Sequence, residues 1–230
     1  PLSVKPQSFQ CHHGLGYTTI ESVHYRIKTE VTYFVPPDET LEIWLAKVTN
    51  LTAKRADLQI FPYIEWLIGD YYLERLYRNL MNLYNRVWYE KEIKAILARK
   101  TASWELLNIT PFPYFLFFAS SLPVKGYATR KDLFLGKFNT EERPEAVLKG
   151  GFKNTSLGSG EDGIASLMHC LTLKPGESKE FSVVVGQTES MSKAQNRIKK
   201  YRKIQEVHAA LERTRSLWQK RILGNNISIK

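Results

Sequence analysis

The sequence predicts an all-β domain of the sandwich or barrel type, followed by a C-terminal helical segment. Stretches rich in β-branched and aromatic residues recur from residue 17 to residue 186, and short turn signals separate them. Hydrophobic residues make up 43% of the 230 positions, which is a globular composition with a substantial core. A helical period of three to four residues dominates only after residue 189 and, briefly, at 71–87.

The predicted strands follow one another closely along the chain. The strand at 29–35 ends at the turn signal Pro36-Pro37-Asp38, and the strand at 41–49 ends at Asn50. A strand at 58–67 contains Pro62, which indicates a bulge or an edge position. The other predicted strands are 17–20, 88–99, 112–120, 124–128, 146–152, 164–173 and 179–186. Their short spacing is what predicts the sandwich or barrel.

Two segments have helical periodicity. Within 71–87, six apolar residues fall on one helical face (Leu73, Leu76, Tyr77, Leu80, Tyr84 and Val87). The second helix is predicted to begin at Ser192, which opens a capping-box sequence, and to end at Gly224 after seven or eight turns. Its apolar stripe comprises Ala194, Ile198, Tyr201, His208, Leu211, Trp218 and Ile222. This stripe requires an apolar surface on which to pack.

The net charge of +10 raises the possibility of nucleic-acid binding. Between residues 189 and 222, however, ten Lys and Arg stand against three Glu, so +7 of the total lies in the helical segment. We expect this basic face to be solvated or docked on an acidic neighbour, with nucleic acid as the alternative. No apolar run reaches the ~18 residues of a membrane span. With no secretion signal and two distant cysteines, Cys11 and Cys170, the sequence predicts a cytoplasmic protein.

Catalytic and metal-binding residues are not evident from the sequence. His12 and His13 follow Cys11, but neighbouring side chains of a strand point to opposite faces, so zinc would need His24 or His169 as well. We expect no metal. The candidate carboxylates at strand ends and in loops are Glu65, Asp70, Asp132 and Asp162. They do not form a pair that the sequence can place in one cleft.

The segment 126–136 is the best candidate for a binding site. It begins and ends with glycine, and Leu133, Phe134 and Leu135 are expected to anchor it. Tyr127, Thr129 and Arg130 are the candidate substrate-binding residues, with Tyr127 and Arg130 expected to project outward. An aromatic ring stacks on the C–H groups of a sugar, and a guanidinium donates hydrogen bonds to its hydroxyls. The alternative is an ordinary loop with a surface arginine.

Several motifs together resemble one family of carbohydrate-active enzymes. Residues 11–18, Cys-His-His-Gly-Leu-Gly-Tyr-Thr, resemble the Cys-Arg-His-Gly-Leu-Gly-Tyr-Thr signature of glycoside hydrolase family 94, with His12 in place of the usual Arg. The resemblance continues through Phe34-Val35-Pro36, Thr49-Asn50, the segment 126–136 and the turn at 173–177. Trp218 and residues 227–229 resemble the end of the family's linker. This family contains cellobiose, cellodextrin and chitobiose phosphorylases.

The resemblance implies a galactose-mutarotase-like β-supersandwich over residues 1–188, a helical linker over 189–224 and the start of an (α/α)6 barrel at 225–230. In the family, the barrel carries the catalytic Asp, and inorganic phosphate attacks with inversion as a co-substrate. No catalytic residue and no other cofactor is therefore expected in this chain. The family works as a homodimer on oligosaccharides, and the resemblance places Arg130 and Tyr127 beside the partner's acceptor-sugar subsite. The alternative function is a stand-alone carbohydrate-binding or scaffold module.

Overall fold

The computed structural model describes residues 4–101, 112–151, 154 and 158–223. These residues contain thirteen strands and six helices. The strands are β1 (Ser8–Gly14), β2 (Tyr17–His24), β3 (Ile27–Phe34), β4 (Leu41–Asn50), β5 (Ala56–Ile60), β6 (Tyr63–Glu65), β7 (Asn85–Glu90), β8 (Ala95–Lys100), β9 (Phe115–Ser120), β10 (Gly126–Arg130), β11 (Gly158–Ser159), β12 (Gly163–Leu173) and β13 (Ser178–Thr188). The helices are α1 (Tyr71–Leu76), α2 (Arg78–Asn82), α3 (Lys131–Leu135), α4 (Glu145–Leu148), α5 (Met191–Tyr201) and α6 (Ile204–Leu223).

The strands form two antiparallel sheets. The large sheet has the order β1-β2-β3-β4-β13-β9-β8-β7-β11. Its centre is the long β4–β13 pair, whose register runs from Leu41 opposite Gly186 to Thr49 opposite Ser178. The small sheet has the order β10-β12-β5, and β6 also pairs with β12. The predicted all-β sandwich is therefore confirmed.

Two apolar cores lie on opposite faces of the large sheet. The core between the sheets includes Val48, Phe118, Val183 and Leu167, each at most 5% exposed. The other core lies between the large sheet and the C-terminal helices. Since side chains alternate along a strand, β4 contributes Ile43 and Leu45 to the helix side and Val48 to the sheet side.

The C-terminal segment is two helices rather than the single predicted one. The N-cap of α5 is Ser190, whose hydroxyl accepts from the Lys193 amide, and not Ser192. The helical path breaks at Arg202, whose guanidinium donates to the backbone oxygens of Ser120 (3.2 Å) and Ile93 (2.6 Å). These bonds connect the junction between α5 and α6 to the end of β9 and to the turn between β7 and β8.

The apolar stripe of the C-terminal segment is buried only over its first part. Ala194, Ile198 and Tyr201 are at most 1% exposed, whereas Trp218 is 39% and Ile222 50% exposed. Another predicted member, His208, is exposed and pairs with Glu180 at 3.0 Å. The buried α6 residues are Val207, Ala210, Leu211 and Thr214. Gly224 and residues 225–230 lie outside the described residues.

Three local predictions require correction or refinement. The strand predicted at 146–152 is wrong: residues Glu145–Leu148 form the short helix α4, which follows Pro144 and gives way to Gly150 at φ 70°. The predicted helix at 71–87 is present as α1 and α2, but the segment ends in strand β7. The predicted strand at 58–67 is divided into β5 and β6 at Pro62, because proline cannot donate to a ladder.

His169 gives the fold a testable pH dependence. Its ring is fully buried, Nδ1 lies 2.9 Å from the Pro123 oxygen, and Nε2 has no hydrogen-bond partner among the described residues. Burial lowers the pKa of His169 below its ordinary value of 6.5. As pH falls through about 6.5, the unfolded chain therefore gains a proton that the folded chain does not take up, and folding is destabilised by up to about 1.4 kcal/mol per pH unit.

We expect urea unfolding of the wild type to show this loss between pH 7 and pH 5.5, and the loss to be smaller in His169→Gln. His208→Gln, at an exposed histidine, is the matched control. Equal pH slopes in the wild type and His169→Gln would contradict the prediction.

Candidate functional site

A polar cleft of about 370 Å³ lies where β10, α3, α2 and the loop before β12 meet. This volume is at the lower end of the range for small-molecule sites. We call it the Arg130 cleft, because Arg130 ends β10 at its border. Its lining residues are Asn79, Asn82, Lys131, Asp132, Leu135, Gly136, Lys137, Asn139, Gly160, Glu161 and Asp162.

Arg130 is held between two carboxylates at the border of the cleft. Its Nε and Nη2 donate to Asp132 at 3.0 and 2.6 Å, which is a bidentate pair. Nη2 also lies 3.8 Å from the Glu161 carboxylate. The hydrogen bond to Asp132 raises the pKa of Arg130 above its ordinary value. The Arg130 side chain is about 30% exposed, and its Nη1 is not used by Asp132.

Lys131 is oriented by carboxylates of two other segments. Its Nζ lies 2.8 Å from Glu65 at the end of β6 and 3.5 Å from Glu141. Burial alone would lower the pKa of Lys131, but the hydrogen bond to Glu65 and the charge of both carboxylates raise it. The ammonium group therefore stays charged near neutral pH and neutralises part of the acidic charge around the cleft.

The cleft combines hydrogen-bond donors and acceptors over a short distance. Asn79, Asn82 and Asn139 supply amides, while Asp132, Glu161 and Asp162 supply carboxylate oxygens. Each hydroxyl of a sugar both donates and accepts a hydrogen bond, so neighbouring amides and carboxylates suit a polyol. This mixture of amides and carboxylates can hydrogen-bond the hydroxyls of a polyol.

Of the three predicted site residues, only Arg130 reaches the surface appreciably. Tyr127 is 9% exposed and stacks on Tyr89 with ring centroids 4.0 Å apart, so the expectation that it projects outward is wrong. Thr129 is fully buried. Both lie in β10, which pairs with β12 and is covered on both faces, since Tyr127 and its neighbour Ala128 belong to different apolar clusters. Their role as substrate-binding residues stays a prediction.

The anchor of the 126–136 segment is also smaller than predicted. Phe134 and Leu135 are at most 5% exposed, whereas Leu133 is 42% exposed. Phe134 stacks on Tyr63 at 4.9 Å, which joins α3 to β6. This contact fixes the segment that carries Lys131 and Asp132.

The four candidate carboxylates have different surroundings. Asp132 and Asp162 both line the Arg130 cleft. Glu65 pairs with Lys131 near its border, and Asp70 caps α1 by accepting from the Leu73 amide at 3.0 Å. Sequence reasoning missed Asn79 and Asn82, which α2 brings to the cleft from some fifty positions earlier in the chain.

The histidine and cysteine cluster of β1 has local partners. His13 Nδ1 lies 3.0 Å from the Thr18 hydroxyl, and His12 Nε2 lies 3.3 Å from Gln10. Cys11 and Cys170 are exposed free thiols. Across the described ranges, three or more His, Cys, Asp or Glu are nowhere grouped so that they could hold a metal ion. In the same part of the chain, none of the helices has the length and apolarity to cross a membrane.

The fold has solved counterparts among carbohydrate-active enzymes. A bacterial glucoamylase, solved in complex with acarbose, superposes with a TM-score of 0.52 at 12% identity, over 93% of this chain and 28% of its own. A human-microbiome protein described as a kojibiose phosphorylase gives a TM-score of 0.53 at 11% identity, over 94% of this chain and 25% of its own. The molecule thus has the sandwich fold of β-domains that form part of larger glycoside-processing proteins.

Sequence comparison defines the family. Residues 1–204 match the family described as glycosyl hydrolase 94, supersandwich domain, and the chain belongs to this family. It is 30% identical to a solabiose phosphorylase from Paenibacillus borealis over 187 residues, which cover 81% of this chain and 23% of the relative. It is 26% identical to an N,N'-diacetylchitobiose phosphorylase from Vibrio proteolyticus, over 80% of this chain and 22% of the relative. The chain therefore spans less than a quarter of these relatives.

Proposed function

We propose that this chain is the non-catalytic sandwich part of an inverting β-glucoside phosphorylase and that it builds the acceptor-sugar subsite and the dimer. The observation that carries the proposal is the Arg130 cleft, a polar site of amides and carboxylates beside a fixed guanidinium, in a chain of the family 94 supersandwich type. The general acid is an Asp of an (α/α)6 barrel, and inorganic phosphate is the co-substrate. On this proposal the assembled enzyme is a cytoplasmic homodimer that acts on oligosaccharides.

In the proposed enzyme, Arg130 contributes binding and orientation. The Asp132 carboxylate fixes the guanidinium, so a hydroxyl of the acceptor sugar meets donors that are already in place. Orientation of the acceptor oxygen matters because this oxygen receives the glycosyl group when the reaction runs toward synthesis. The donor sugar and its phosphate contact the barrel, and Arg130 has no part in binding them.

The test is phosphate release from α-glucose 1-phosphate with glucose as acceptor, for this chain alone and mixed with a barrel-bearing partner protein. We expect activity only in the mixture. In Arg130→Ala, the KM for the acceptor should rise roughly ten-fold, since a hydrogen bond to a charged group is lost, while the KM for glucose 1-phosphate stays within about two-fold.

The matched control is Arg55→Ala, at an arginine that also pairs with an aspartate two positions on, since its Nε and Nη2 both donate to Oδ1 of Asp57. Asp57 lies opposite Thr172 in the β5–β12 ladder, nine residues along β12 from Gly163 and so roughly 30 Å from the cleft. Activity of this chain alone would overturn the non-catalytic role. If the KM for the acceptor were the same in Arg130→Ala and Arg55→Ala, the proposed role of Arg130 in the acceptor-sugar subsite would be wrong.

A further inference from the structure

A buried ion-pair network lies behind the Arg130 cleft and does not line it. Its centre is Glu74 of α1, whose side chain is fully buried. Lys100 at the end of β8, itself 4% exposed, lies 3.0 Å from Glu74 Oε1, and Arg78 lies 3.0 Å from Oε2. Asn85 donates to Oε1 at 3.3 Å. Both oxygens of the carboxylate are thus used by partners from three elements.

Arg78 carries this network from α1 to the wall of the cleft. Its Nη1 donates to Glu74 and to the Trp66 backbone oxygen, both at 3.0 Å, and its Nε donates to Asp162 at 3.0 Å. The same Asp162 oxygen accepts from Asn82 at 2.6 Å. The guanidinium therefore joins a buried carboxylate, a strand end and a cleft residue. An ammonium group is a single point and cannot span these three partners.

The loop held by Arg78 is also the loop that faces Arg130. Residues 160–163 carry Glu161, which lies 3.8 Å from Arg130. The backbone amide of Gly160 donates to the backbone oxygen of Asn82 in α2 at 3.1 Å. The backbone oxygen of Asp162 accepts from the backbone amide of Lys131 at 2.9 Å. The loop is thus fastened to α2 on one side and to the start of α3 on the other.

We propose that Arg78 is a positioning residue for the Arg130 cleft: it holds the wall formed by Glu161 and Asp162 against Arg130 and so sets the spacing that an acceptor sugar meets. This role in binding rests on the proposed function of the cleft. The positioning itself rests only on the contacts of Arg78. The proposed positioning also explains why α1 carries the buried charge of Glu74, since burying a charge is costly and a helix does not need one in order to fold.

The experiment uses the 230-residue chain with Arg78→Met, Arg78→Lys and the control Arg55→Met. Methionine keeps an unbranched side chain but removes all three bonds, while Glu74 keeps Lys100 and Asn85 as partners. Lysine keeps a positive charge beside Glu74, so the Arg78→Lys variant can be measured in its place if Arg78→Met does not fold. The first readout is amide hydrogen exchange by NMR at Gly160 and Lys131, with Val184 in the centre of the large sheet as the reference.

In Arg78→Met we expect exchange at Gly160 and Lys131 to become at least about ten-fold faster, with Val184 changed less than about two-fold. Arg78→Lys should fall between Met and wild type, and Arg55→Met should equal wild type. The inference is wrong if the loop amides in Arg78→Met exchange as in Arg55→Met. It is equally wrong if Val184 accelerates in parallel with them, because that would show a general loss of stability.

The second readout is the acceptor KM in the phosphate-release assay with the barrel-bearing partner. We expect it to rise about five-fold in Arg78→Met with the KM for glucose 1-phosphate unchanged, and to recover partly in Arg78→Lys. An unchanged acceptor KM despite faster loop exchange would overturn the role in binding. If the wild-type mixture shows no activity, the proposed function fails, while the exchange data still decide whether Arg78 positions the loop.

Discussion

Glu74→Ala is expected to destabilise the protein by about 3–5 kcal/mol, one of the two largest effects that we predict for a single substitution. The reason is not the loss of a favourable ion pair in itself, because burying two charges costs much of what their attraction contributes. The substitution leaves Lys100, 4% exposed, without the carboxylate that compensates its charge. The measurement is the urea dependence of unfolding at pH 7, followed by circular dichroism.

A double substitution separates the cost of an unpaired charge from the value of the pair. We expect Glu74→Leu combined with Lys100→Met to recover more than half of the loss, because apolar residues of similar size often replace a buried pair without cost. The control is Glu212→Ala, at an exposed glutamate that pairs with Arg215 at 2.8 Å. A surface pair of this kind contributes at most about 1 kcal/mol. A loss in Glu74→Ala no larger than in Glu212→Ala would contradict the prediction.

The sequence predicts the strands well where a strand is long and its turns carry a strong local signal. Strands β4, β12 and β13 are examples, since the ends of each lie close to proline, glycine or asparagine turns. The strand predicted at 146–152 is wrong because the boundaries of this short apolar run are those of a helix. Pro144 before the run and Gly150 within it are start and stop signals of a short helix, which is what the structure shows.

The site was predictable only in part, because its walls come from distant parts of the chain. The sequence marks Arg130 as a guanidinium in a glycine-bounded segment, and the strand predicted at 124–128 overlaps β10, which extends to Arg130. A strand covered on both faces buries consecutive residues, which is why Tyr127 and Thr129 are buried alongside Ala128. The pairing of Arg78 with Asp162, 84 positions apart, had no local signal in the sequence.

Ile198→Ala is expected to destabilise the protein by about 2–5 kcal/mol, which is the usual cost of truncating a fully buried isoleucine. Ile198 of α5 is 0% exposed and belongs to the core that also contains Ile43, Leu45 and Phe117 of the large sheet. These strands lie at the centre of the sheet, so a cavity at Ile198 removes contacts from the most buried part of the fold. Thermal unfolding of the 230-residue chain should show the loss as a lower midpoint.

Lys199→Ala is the matched control, because Lys199 is exposed in the same turn of α5 and should change stability by less than about 0.5 kcal/mol. The comparison of the two variants distinguishes a linker role for α5 from a role as part of the folded domain. A linker between two domains would tolerate both substitutions equally, and that outcome would contradict the prediction. A large effect confined to Ile198 would make α5 a third layer of the sandwich, in keeping with a family match that extends through α5 to residue 204. The boundary predicted at 188 would then fall inside one folding unit, because α6 also contributes Val207, Ala210 and Leu211 to the same core.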